Sequence, residues 1–266
     1  MARGSIGRFA GKTAFVTGAG AGLGAAFSRV LAASGAHVVV ADVNADKAEI
    51  TARAIGAEAM ALDVREPERI AQALQATRRK YGSLDVVINN AGVTAGGEPL
   101  DLLWSDWTGV IQVNLLGVIA GSIEALRIMK EQGSGWILNM GSTNGLALTP
   151  MLGPYSASKA GVVLFSRGLA EEAKGFGVHV SVGCPGNIRT AILPGNVSRL
   201  MPPMDPDVAA RKLLDGMLRR RRVIVFPFYA RAWWWADRIH TELLAPFRQE
   251  IVRRARVRND AARHVN

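Results

Sequence analysis

Short runs of β-branched and apolar residues alternate along this chain with longer segments in which apolar residues recur every three or four positions. In the first run, Thr13–Thr17, every residue is apolar or β-branched, which indicates a strand buried on both faces of a parallel sheet. The same criterion predicts further strands along the chain. They are 37–41, 57–62, 84–88, 136–140, 178–182 and Val223–Phe226.

Amphipathic helices are predicted between these strands. Asn44 is a suitable N-cap, Pro67 suits a first helical turn, and Gly82 suits the residue after a helix end. The predicted helices are 23–33, 45–55, Pro67–Tyr81, two helices within 100–131, and 155–174. Strands and helices that alternate in this way predict an α/β fold, a doubly wound parallel sheet with helices on both faces.

The pattern changes after Pro185. Residues 187–207 are rich in Pro, Gly and Met and show no period, which predicts a loop over a pocket. Asp205 and Pro206 predict the start of another helix, and the chain from Tyr229 is expected to be helical with an interruption at Pro246. We expect a single domain over 1–266, with a core of about 10–190, a substrate loop of about 187–207 and a C-terminal extension of about 208–266.

The net charge of +10 is concentrated near the C-terminus. Residues 211–266 carry 14 Lys and Arg against 5 Asp and Glu, so the first 210 residues are nearly neutral. The single cysteine, Cys184, excludes an intrachain disulfide and fits a reducing compartment. The sequence predicts no secretory signal and no membrane span, so the expected location is cytoplasmic.

A glycine-rich turn, Gly18 to Gly24, lies between the first predicted strand and the first helix. Glycine permits a tight turn, a close approach of the backbone to a pyrophosphate, and close packing of the helix on the sheet. The helix N-terminus offers unpaired N–H groups to the phosphates. Because small-residue loops are common, it is the position between strand and helix that favours a dinucleotide site.

Asp42 follows the second predicted strand, 18 residues after Gly24, close to the position of a ribose-binding acid. A carboxylate there accepts hydrogen bonds from the adenosine ribose and repels a 2′-phosphate. No Lys or Arg occurs in the next four positions, so NAD(H) is favoured over NADP(H). The alternative is a solvated acid that caps the next helix.

Further segments complete a recognisable plan. They are TGxxxGxG at 17–24, Asp63-Val64, Asn89-Asn90-Ala91-Gly92, Asn114 after a valine, Ser142 thirteen residues before Tyr155, YxxxK at Tyr155 and Lys159, and PGxIxT at 185–190. In this order and spacing the chain resembles the short-chain dehydrogenase/reductase family in its compact form, from about residue 10 to residue 190. The resemblance implies a Rossmann fold, hydride transfer with NAD(H) or NADP(H), and a homodimer or homotetramer.

The resemblance also implies which residues form the site. The implied catalytic residues are Asn114, Ser142, Tyr155 and Lys159. The implied cofactor-binding residues are Gly18, Ala21, Gly22, Leu23, Gly24, Asp42, Asp63, Val64, Asn90, Ala91, Gly92, Tyr155, Lys159, Pro185, Gly186, Ile188 and Thr190. Within these sets, Asp63 and Val64 are expected to touch the adenine, and Asn114 to position a water that relays the proton.

The chemistry of Tyr155 and Lys159 agrees with this role. Four residues apart on a helix, the two side chains share one face. Free tyrosine has a pKa near ~10, and a nearby ammonium is expected to lower it so that the phenol can exchange the alcohol proton. Ser142 would hold the substrate oxygen and stabilise its developing charge. Taken singly, each residue has an ordinary structural alternative.

The substrate is expected over the carboxyl ends of the strands. The candidate contacts are Ser142, Asn144, Leu152, Tyr155 and Ile192, with Leu146, Leu193, Leu200, Met201 and Met204 as further apolar walls. These side chains predict an apolar secondary alcohol or ketone, lipid-like or steroid-like. The alternative is that they only pack on the sheet. No metal site is predicted, because the histidines and Cys184 lack ligand spacing.

The C-terminal extension is basic and rich in tryptophan. Arg219–Arg222, Trp233-Trp234-Trp235 and the run 253–258 suggest peripheral membrane contact, since Trp and Arg suit the lipid–water boundary. A solvated helix or a subunit contact is the alternative. No nucleic-acid motif accompanies these charges, so nucleic acid is not expected as a partner.

Three functions fit these observations. The first is an NAD-dependent dehydrogenase. The second is an NADPH-dependent 3-oxoacyl thioester reductase, whose acidic acyl carrier the basic tail would attract; Asp42 counts against it. The third is a non-catalytic dinucleotide-binding regulator, against which the presence of both Tyr155 and Lys159 counts.

Overall fold

Seven parallel strands form one sheet in the order β3-β2-β1-β4-β5-β6-β7. The computed structural model describes residues 6–147, 149–190, 202–239, 249–250 and 252–253. The strands are β1 (Thr13–Thr17), β2 (His37–Asp42), β3 (Glu58–Ala61), β4 (Val86–Asn89), β5 (Gly135–Met140), β6 (Val178–Pro185) and β7 (Val223–Phe226). Each predicted strand is confirmed, with ends that differ by up to three residues.

Helices cover both faces of this sheet. They are α1 (Gly22–Ala32), α2 (Ala45–Ile55), α3 (Pro67–Tyr81), α4 (Trp104–Ile111), α5 (Gly117–Gln132), α6 (Gly153–Glu172), α7 (Pro206–Leu218) and α8 (Phe228–Ile239). A π-helical segment, Gln112–Leu116, joins α4 to α5. Short 3-10 turns occur at Ile6–Phe9, Thr143–Gly145 and Ala173–Phe176.

The doubly wound arrangement follows from strands that are apolar on both faces. All five residues of β1 are buried. Ala14 and Val16 belong to the core that includes side chains of α1 and α7, whereas Phe15 belongs to the core that includes side chains of α3 and α5. Successive residues of one strand thus anchor opposite helical layers, and the sheet is held between them.

The predicted helix ends are mostly confirmed. The Asn44 side chain caps α2 by accepting a hydrogen bond of 2.9 Å from the Lys47 N–H. Gly82 follows α3 in the left-handed region, with φ of +81°. Asp205 caps α7 by accepting from the N–H groups of the second and third residues after it. Local capping chemistry therefore sets these ends.

The segment 100–131 contains the two predicted helices, α4 and α5, and they are joined without a break. Helix begins at Trp104, because the Asp106 carboxylate accepts a hydrogen bond of 2.9 Å from the Leu103 N–H. From there it is continuous through the π-helical segment to Gln132. Among the described residues this is the one helix long and apolar enough to cross a membrane, yet 44% of its most apolar window is buried. It packs on α3, β4 and β5 as a core helix does.

The first part of the expected C-terminal extension belongs to the sheet. β7 pairs in parallel with β6, and α7 packs on α1, where Arg29 and Asp207 form an ion pair of 2.8 Å. α8 follows β7 and contacts it. The predicted helical region after α8, with its interruption at Pro246, lies almost entirely outside the described residues.

Candidate active site

The carboxyl ends of β1 and β4 are tied together by hydrogen bonds. The hydroxyl oxygen of Thr17 accepts from the N–H groups of Asn90 and Ala91, at 3.0 and 3.1 Å. The Asn90 side chain donates back to the carbonyl oxygens of Thr17 and Gly18, both at 3.0 Å. Thr17 was not among the predicted site residues, although a polar residue at the end of a fully buried strand is a signal for such a role.

Glycine is required in the turn after β1 because other segments of the chain approach it closely. Gly18 has φ of +61°, and a Cβ there would lie 2.7 Å from the Cα of Ala91. A Cβ on Gly24 would lie 2.1 Å from the Gly18 carbonyl oxygen. Gly22, with φ of +56°, faces Thr190, whose methyl carbon would lie 3.2 Å from an added Cβ. The turn, the segment after β4 and the loop after β6 thus form one cradle.

This cradle fits a dinucleotide phosphate. The N-cap of α1 is Ala21, and no side-chain hydrogen bond caps that helix end, unlike the ends of α2 and α7. Among the residues that the structure describes, no side chain therefore accepts from the N–H groups of Gly22, Leu23 and Gly24 at the positive end of the helix dipole. A pyrophosphate is the ligand that such an end accommodates.

The ribose-binding candidate lies beside this turn. One carboxylate oxygen of Asp42 accepts from the Gly20 N–H, and the other accepts from the Asn44 N–H, both at 2.9 Å. An ionised carboxylate offers about four lone-pair positions, so about two remain for ribose hydroxyls. Asn44, rather than Asp42, provides the side-chain cap of α2. The residues present therefore fit an adenosine ribose.

Asp63, the adenine candidate, is paired with a residue that the motif did not indicate. Arg65 donates to Asp63 from its main-chain N–H at 2.9 Å and from its Nε at 3.0 and 2.9 Å. This hydrogen bonding holds the pKa of Asp63 below its usual value. Val64 is buried and packs against Gly117, where an added Cβ would lie 2.9 Å from the Val64 carbonyl oxygen.

Three of the predicted catalytic residues and Gly92 lie close together. The Lys159 ammonium donates to the Met140 carbonyl oxygen at 2.7 Å and lies 5.7 Å from the centroid of the Tyr155 ring. A Cβ on Gly92 would lie 3.7 Å from the Lys159 nitrogen and 3.4 Å from the Asn114 side-chain oxygen. A side chain on residue 92 would therefore be in van der Waals contact with both polar groups.

Burial has the largest effect on the acid–base groups. Burial raises the pKa of Tyr155, and its hydrogen bond with Ser142 opposes that rise. Burial lowers the pKa of Lys159 to about 8. The pKa of Tyr155 is therefore raised, where the sequence predicted a lowering by Lys159, because burial desolvates the phenolate. Cys184 is fully buried, and burial raises the pKa of its thiol to about 12.

Asn114 lies in the π-helical segment, an irregularity often found at functional sites. Its amide nitrogen donates to the Val93 carbonyl oxygen at 2.9 Å and to the Ser158 hydroxyl at 3.1 Å. Its side-chain oxygen accepts from the Val93 N–H at 2.8 Å. Both amide N–H groups are engaged, so the side chain holds the segment after β4 against α6. Sequence reasoning did not indicate this contact.

Of the predicted substrate contacts, Asn144 lies beside Ser142. The Asn144 N–H donates to the Ser142 hydroxyl at 3.1 Å, and Thr149 donates to the Asn144 side chain at 3.3 Å. Leu152 lies against Gly96, where an added Cβ would be 2.7 Å from a Leu152 methyl carbon. Ile192, Leu193, Leu200 and Met201 lie outside the described residues.

The loop after β6 reaches both the cradle and α8. Ile188 is buried and forms an isolated parallel bridge with Met204. The N–H of Gly186 donates to the Phe226 carbonyl oxygen at 2.8 Å, which joins the loop after Pro185 to the end of β7. The PGxIxT segment therefore connects Thr190, beside the glycine turn, with the chain that leads into α8.

A family model described as short chain dehydrogenase matches residues 12–199. The chain belongs to the short-chain dehydrogenase family. An uncharacterised oxidoreductase of Staphylococcus aureus strain N315 is 33% identical over 217 residues, covering 80% of this chain and 94% of that protein. The 3-oxoacyl-[acyl-carrier-protein] reductase of Escherichia coli strain K12 is 34% identical over 184 residues, covering 68% of this chain and 75% of that protein.

A solved structure of the same family has the same fold. A short chain dehydrogenase/reductase from Burkholderia phymatum, in complex with NAD, aligns with a TM-score of 0.80 at 28% identity, covering 88% of this chain and 95% of that protein. This short-chain dehydrogenase is therefore an oxidoreductase with a Rossmann-type sheet. The family binds NAD or NADP, acts on small-molecule substrates and is commonly oligomeric.

Proposed function

We propose that this short-chain dehydrogenase transfers a hydride between NAD(H) and an apolar secondary alcohol or ketone, with Tyr155 carrying the proton. The observation that carries the proposal is the position of the Lys159 ammonium, which faces the Tyr155 ring and donates to the Met140 carbonyl oxygen at the end of β5. Ser142 follows the same end of β5 and acts to lower the pKa of Tyr155, so both hydroxyl groups are placed to bind one substrate oxygen. Lys159, 5.7 Å from the tyrosine ring, supplies a positive charge to the same site.

In the proposed mechanism, each residue acts on the substrate oxygen or on its proton. When bound, the nicotinamide of the cofactor accepts the hydride of the alcohol or supplies it to the ketone. Ser142 donates a hydrogen bond to the substrate oxygen and stabilises its negative charge. Tyr155 takes the hydroxyl proton during oxidation and returns it during reduction. The Lys159 ammonium stabilises the tyrosinate against the desolvation that raises its pKa.

Asp42 supports NAD(H) as the cofactor. Its carboxylate is held beside the glycine turn by two backbone N–H groups, and a 2′-phosphate there would meet a fixed negative charge. The Burkholderia phymatum relative was solved in complex with NAD, which supports the same choice. Asn114 would contribute to proton relay through its main chain, because its side-chain N–H groups are engaged.

A second candidate function is a 3-oxoacyl thioester reductase. The observation that favours it is the 34% identity to the Escherichia coli 3-oxoacyl-[acyl-carrier-protein] reductase. The basic C-terminal residues would attract an acidic acyl carrier by charge. Asp42 counts against this candidate if the reductant is NADPH, so cofactor choice separates the two functions.

The first test compares the binding of NADH and NADPH at one fixed salt concentration, by nicotinamide fluorescence. Tighter binding of NADH is expected, and Asp42→Ala should reduce that preference about tenfold, since hydrogen bonds to a charged group are lost. Tighter binding of NADPH by the parent protein would contradict the assignment of Asp42 and favour the thioester reductase.

The second test addresses catalysis. NAD⁺-linked oxidation of apolar secondary alcohols is expected, and Tyr155→Phe should reduce kcat by roughly 10²–10⁴-fold while leaving NADH affinity nearly unchanged. Tyr81→Phe is the matched control, because it removes the hydroxyl that contacts Glu58 at the other end of the sheet. Turnover confined to small polar polyols would contradict the apolar substrate, and full activity of Tyr155→Phe would contradict the role of Tyr155.

We also propose that two copies associate through the exposed apolar side of α5 and α6. Leu116 in the π-helical segment and Ile123 in α5 are seven residues apart, so they lie on one helical face, and both are exposed together with Leu164 of α6. Such neighbouring apolar side chains favour a subunit contact. Sedimentation of Leu164→Asp should give a smaller species than the parent, whereas equal masses would contradict this interface.

A further inference from the structure

α8 has an outward face that is both aromatic and cationic. Phe228, Arg231, Ala232 and Trp235 are exposed, and their spacing of three, four and seven residues puts them on one side of the helix. The exposed fraction is 83% for Phe228 and 53% for Trp235. Ala230 on the inner side is buried. The helix therefore covers the sheet edge with one side and offers the other to a partner.

The chemistry of this face points to one kind of partner. Aromatic side chains at the lipid–water boundary, together with arginines that pair with headgroup phosphates, are typical of helices that lie in a membrane surface. The rings of Trp234 and Trp235 are in contact, with centroids 5.6 Å apart, so the aromatic surface extends around the helix. Residues 211–266 carry 14 basic side chains against 5 acidic ones, which complements an anionic surface.

We propose that α8 docks on membranes that contain anionic phospholipids. Phe228 and Trp235 enter the headgroup region, and Arg231 binds lipid phosphate. The exposed apolar region at the start of α4 lacks this charge pattern, because Trp104 lies between Asp101 and Asp106. Anionic lipids would repel the two carboxylates beside Trp104. Charge therefore distinguishes the lipid-binding face of α8 from that region.

The position of α8 relates this face to the candidate active site. A Cβ on Gly186 would lie 3.2 Å from Pro227 and 3.7 Å from the Tyr229 hydroxyl oxygen. α8 thus begins against the loop that follows β6, on the side of the sheet where the strands have their carboxyl ends and where Ser142 also lies. A helix is about 10–12 Å across, so docking through α8 brings the lipid surface close to these carboxyl ends. If the proposed function holds, this geometry indicates that the substrates are alcohols or ketones dissolved in the membrane.

Vesicle flotation of the full chain tests the docking without any need for activity. The parent protein is expected to float with vesicles of phosphatidylcholine and phosphatidylglycerol, to float much less with phosphatidylcholine alone, and to be released by high salt. Phe228→Ala with Trp235→Ala should weaken binding at least about tenfold. Ile50→Ala with Leu100→Ala is the matched control, since both side chains are exposed elsewhere, and it should float like the parent.

Charge reversal tests the electrostatic part. Arg231→Glu should weaken flotation about fivefold or more, whereas Arg79→Glu, on the exposed side of α3, should have a smaller effect. Unaltered NADH binding by every variant shows that the fold is intact. The proposal is overturned if the parent does not float with anionic vesicles, or if the α8 double variant floats as well as the parent. It is also overturned if the double variant changes the sedimenting mass instead, because α8 would then bind a second copy.

A last comparison separates the docking from the proposed function. Turnover of an apolar alcohol supplied in anionic vesicles should fall in the α8 double variant, while turnover of a short water-soluble alcohol should not. Equal turnover of the vesicle-borne alcohol by parent and variant would overturn delivery from the membrane. Flotation without turnover of any alcohol would leave the docking supported and reject the proposed function alone.

Discussion

The ammonium group of Lys159 donates a 2.7 Å hydrogen bond to the main-chain carbonyl oxygen of Met140, from α6 to the last residue of β5. This bond fixes the ammonium beneath Tyr155 and next to Gly92. Burial at this point lowers the pKa of Lys159 from 10.5 to about 8. The protein therefore retains a charged group in the core at neutral pH at a cost in folding stability.

That cost predicts a pH-dependent stability. Between pH 8 and 10.5 the unfolded chain binds a proton on Lys159 that the folded protein releases, so stability rises with pH in this window. The free energy of unfolding of the parent relative to that of Lys159→Met should therefore increase by roughly 2 kcal/mol from pH 7 to pH 9.5. Urea unfolding at several pH values measures it. A difference that does not change with pH would contradict the desolvation of Lys159.

Gly18→Ala should be more damaging than a comparable substitution elsewhere. Gly18 and Gly56 have nearly equal φ, +61° and +65°, but an added Cβ meets Ala91 at 2.7 Å in the first case and nothing within 4 Å in the second. Gly56→Ala should cost about 1–2 kcal/mol for the left-handed backbone alone. Gly18→Ala should cost a further ~1–3 kcal/mol and weaken NADH binding. Equal losses in urea unfolding would show that the contact with Ala91 relaxes freely.

Asn139→Leu should destabilise the fold by roughly 2–4 kcal/mol. Asn139 is fully buried in β5, donates to the Ser166 hydroxyl at 3.0 Å, and accepts from Asn89 at 2.8 Å and Ser122 at 3.0 Å. Leucine would leave these buried partners with fewer hydrogen bonds. Thermal unfolding measures the loss, with Asn44→Ala as a control expected to cost about 1 kcal/mol. A smaller effect for Asn139→Leu than for the control would contradict the network.

Arg65→Ala should affect only the adenosine half of the cofactor. Without the guanidinium, the Asp63 carboxylate loses its restraint, and its pKa should rise toward the usual value. We expect NADH to bind roughly two- to fivefold more weakly, while reduced nicotinamide mononucleotide, which lacks adenosine, binds as before. Arg69→Ala, which breaks the exposed contact with Glu66, is the control. Equal effects on both nucleotides would exclude Arg65 from the adenosine site.

The sheet could be predicted because each buried parallel strand is a continuous run of apolar or β-branched residues in the sequence. β1 and β7 have the predicted ends, since their residues are β-branched or apolar in unbroken runs, each preceded by a basic residue and followed by Gly18 or Pro227. Asn89 and Asn139 interrupt such runs in β4 and β5, and no local rule indicates that they bond to each other across the sheet. The sequence also did not predict how the irregular segment before α4 is held in place. Asn114 hydrogen-bonds to Val93, which is 21 residues away in the chain.

The sequence predicted which residues form the candidate site better than it predicted their pKa values and ion pairs. Motif spacing indicated that Gly92, Tyr155 and Lys159 would lie together, and the structure brings them together. The rise in the Tyr155 pKa depends on how much protein surrounds the phenol, which spacing along the chain does not record. The pairing of Arg65 with Asp63 is another such case. Oppositely charged residues close in sequence are common on protein surfaces, and most such pairs contribute little, so the sequence does not single this pair out.

The alanine at the start of α1 has a consequence for the protein in the cell. A phosphate stabilises a helix N-terminus more when no side chain caps it, so cofactor binding at α1 also stabilises the fold. At a cofactor concentration one hundred times the Kd, the folded state gains about 2.7 kcal/mol over the unfolded chain. Proteases act on opened molecules, so we expect the abundance and half-life of this enzyme to follow the nicotinamide pool.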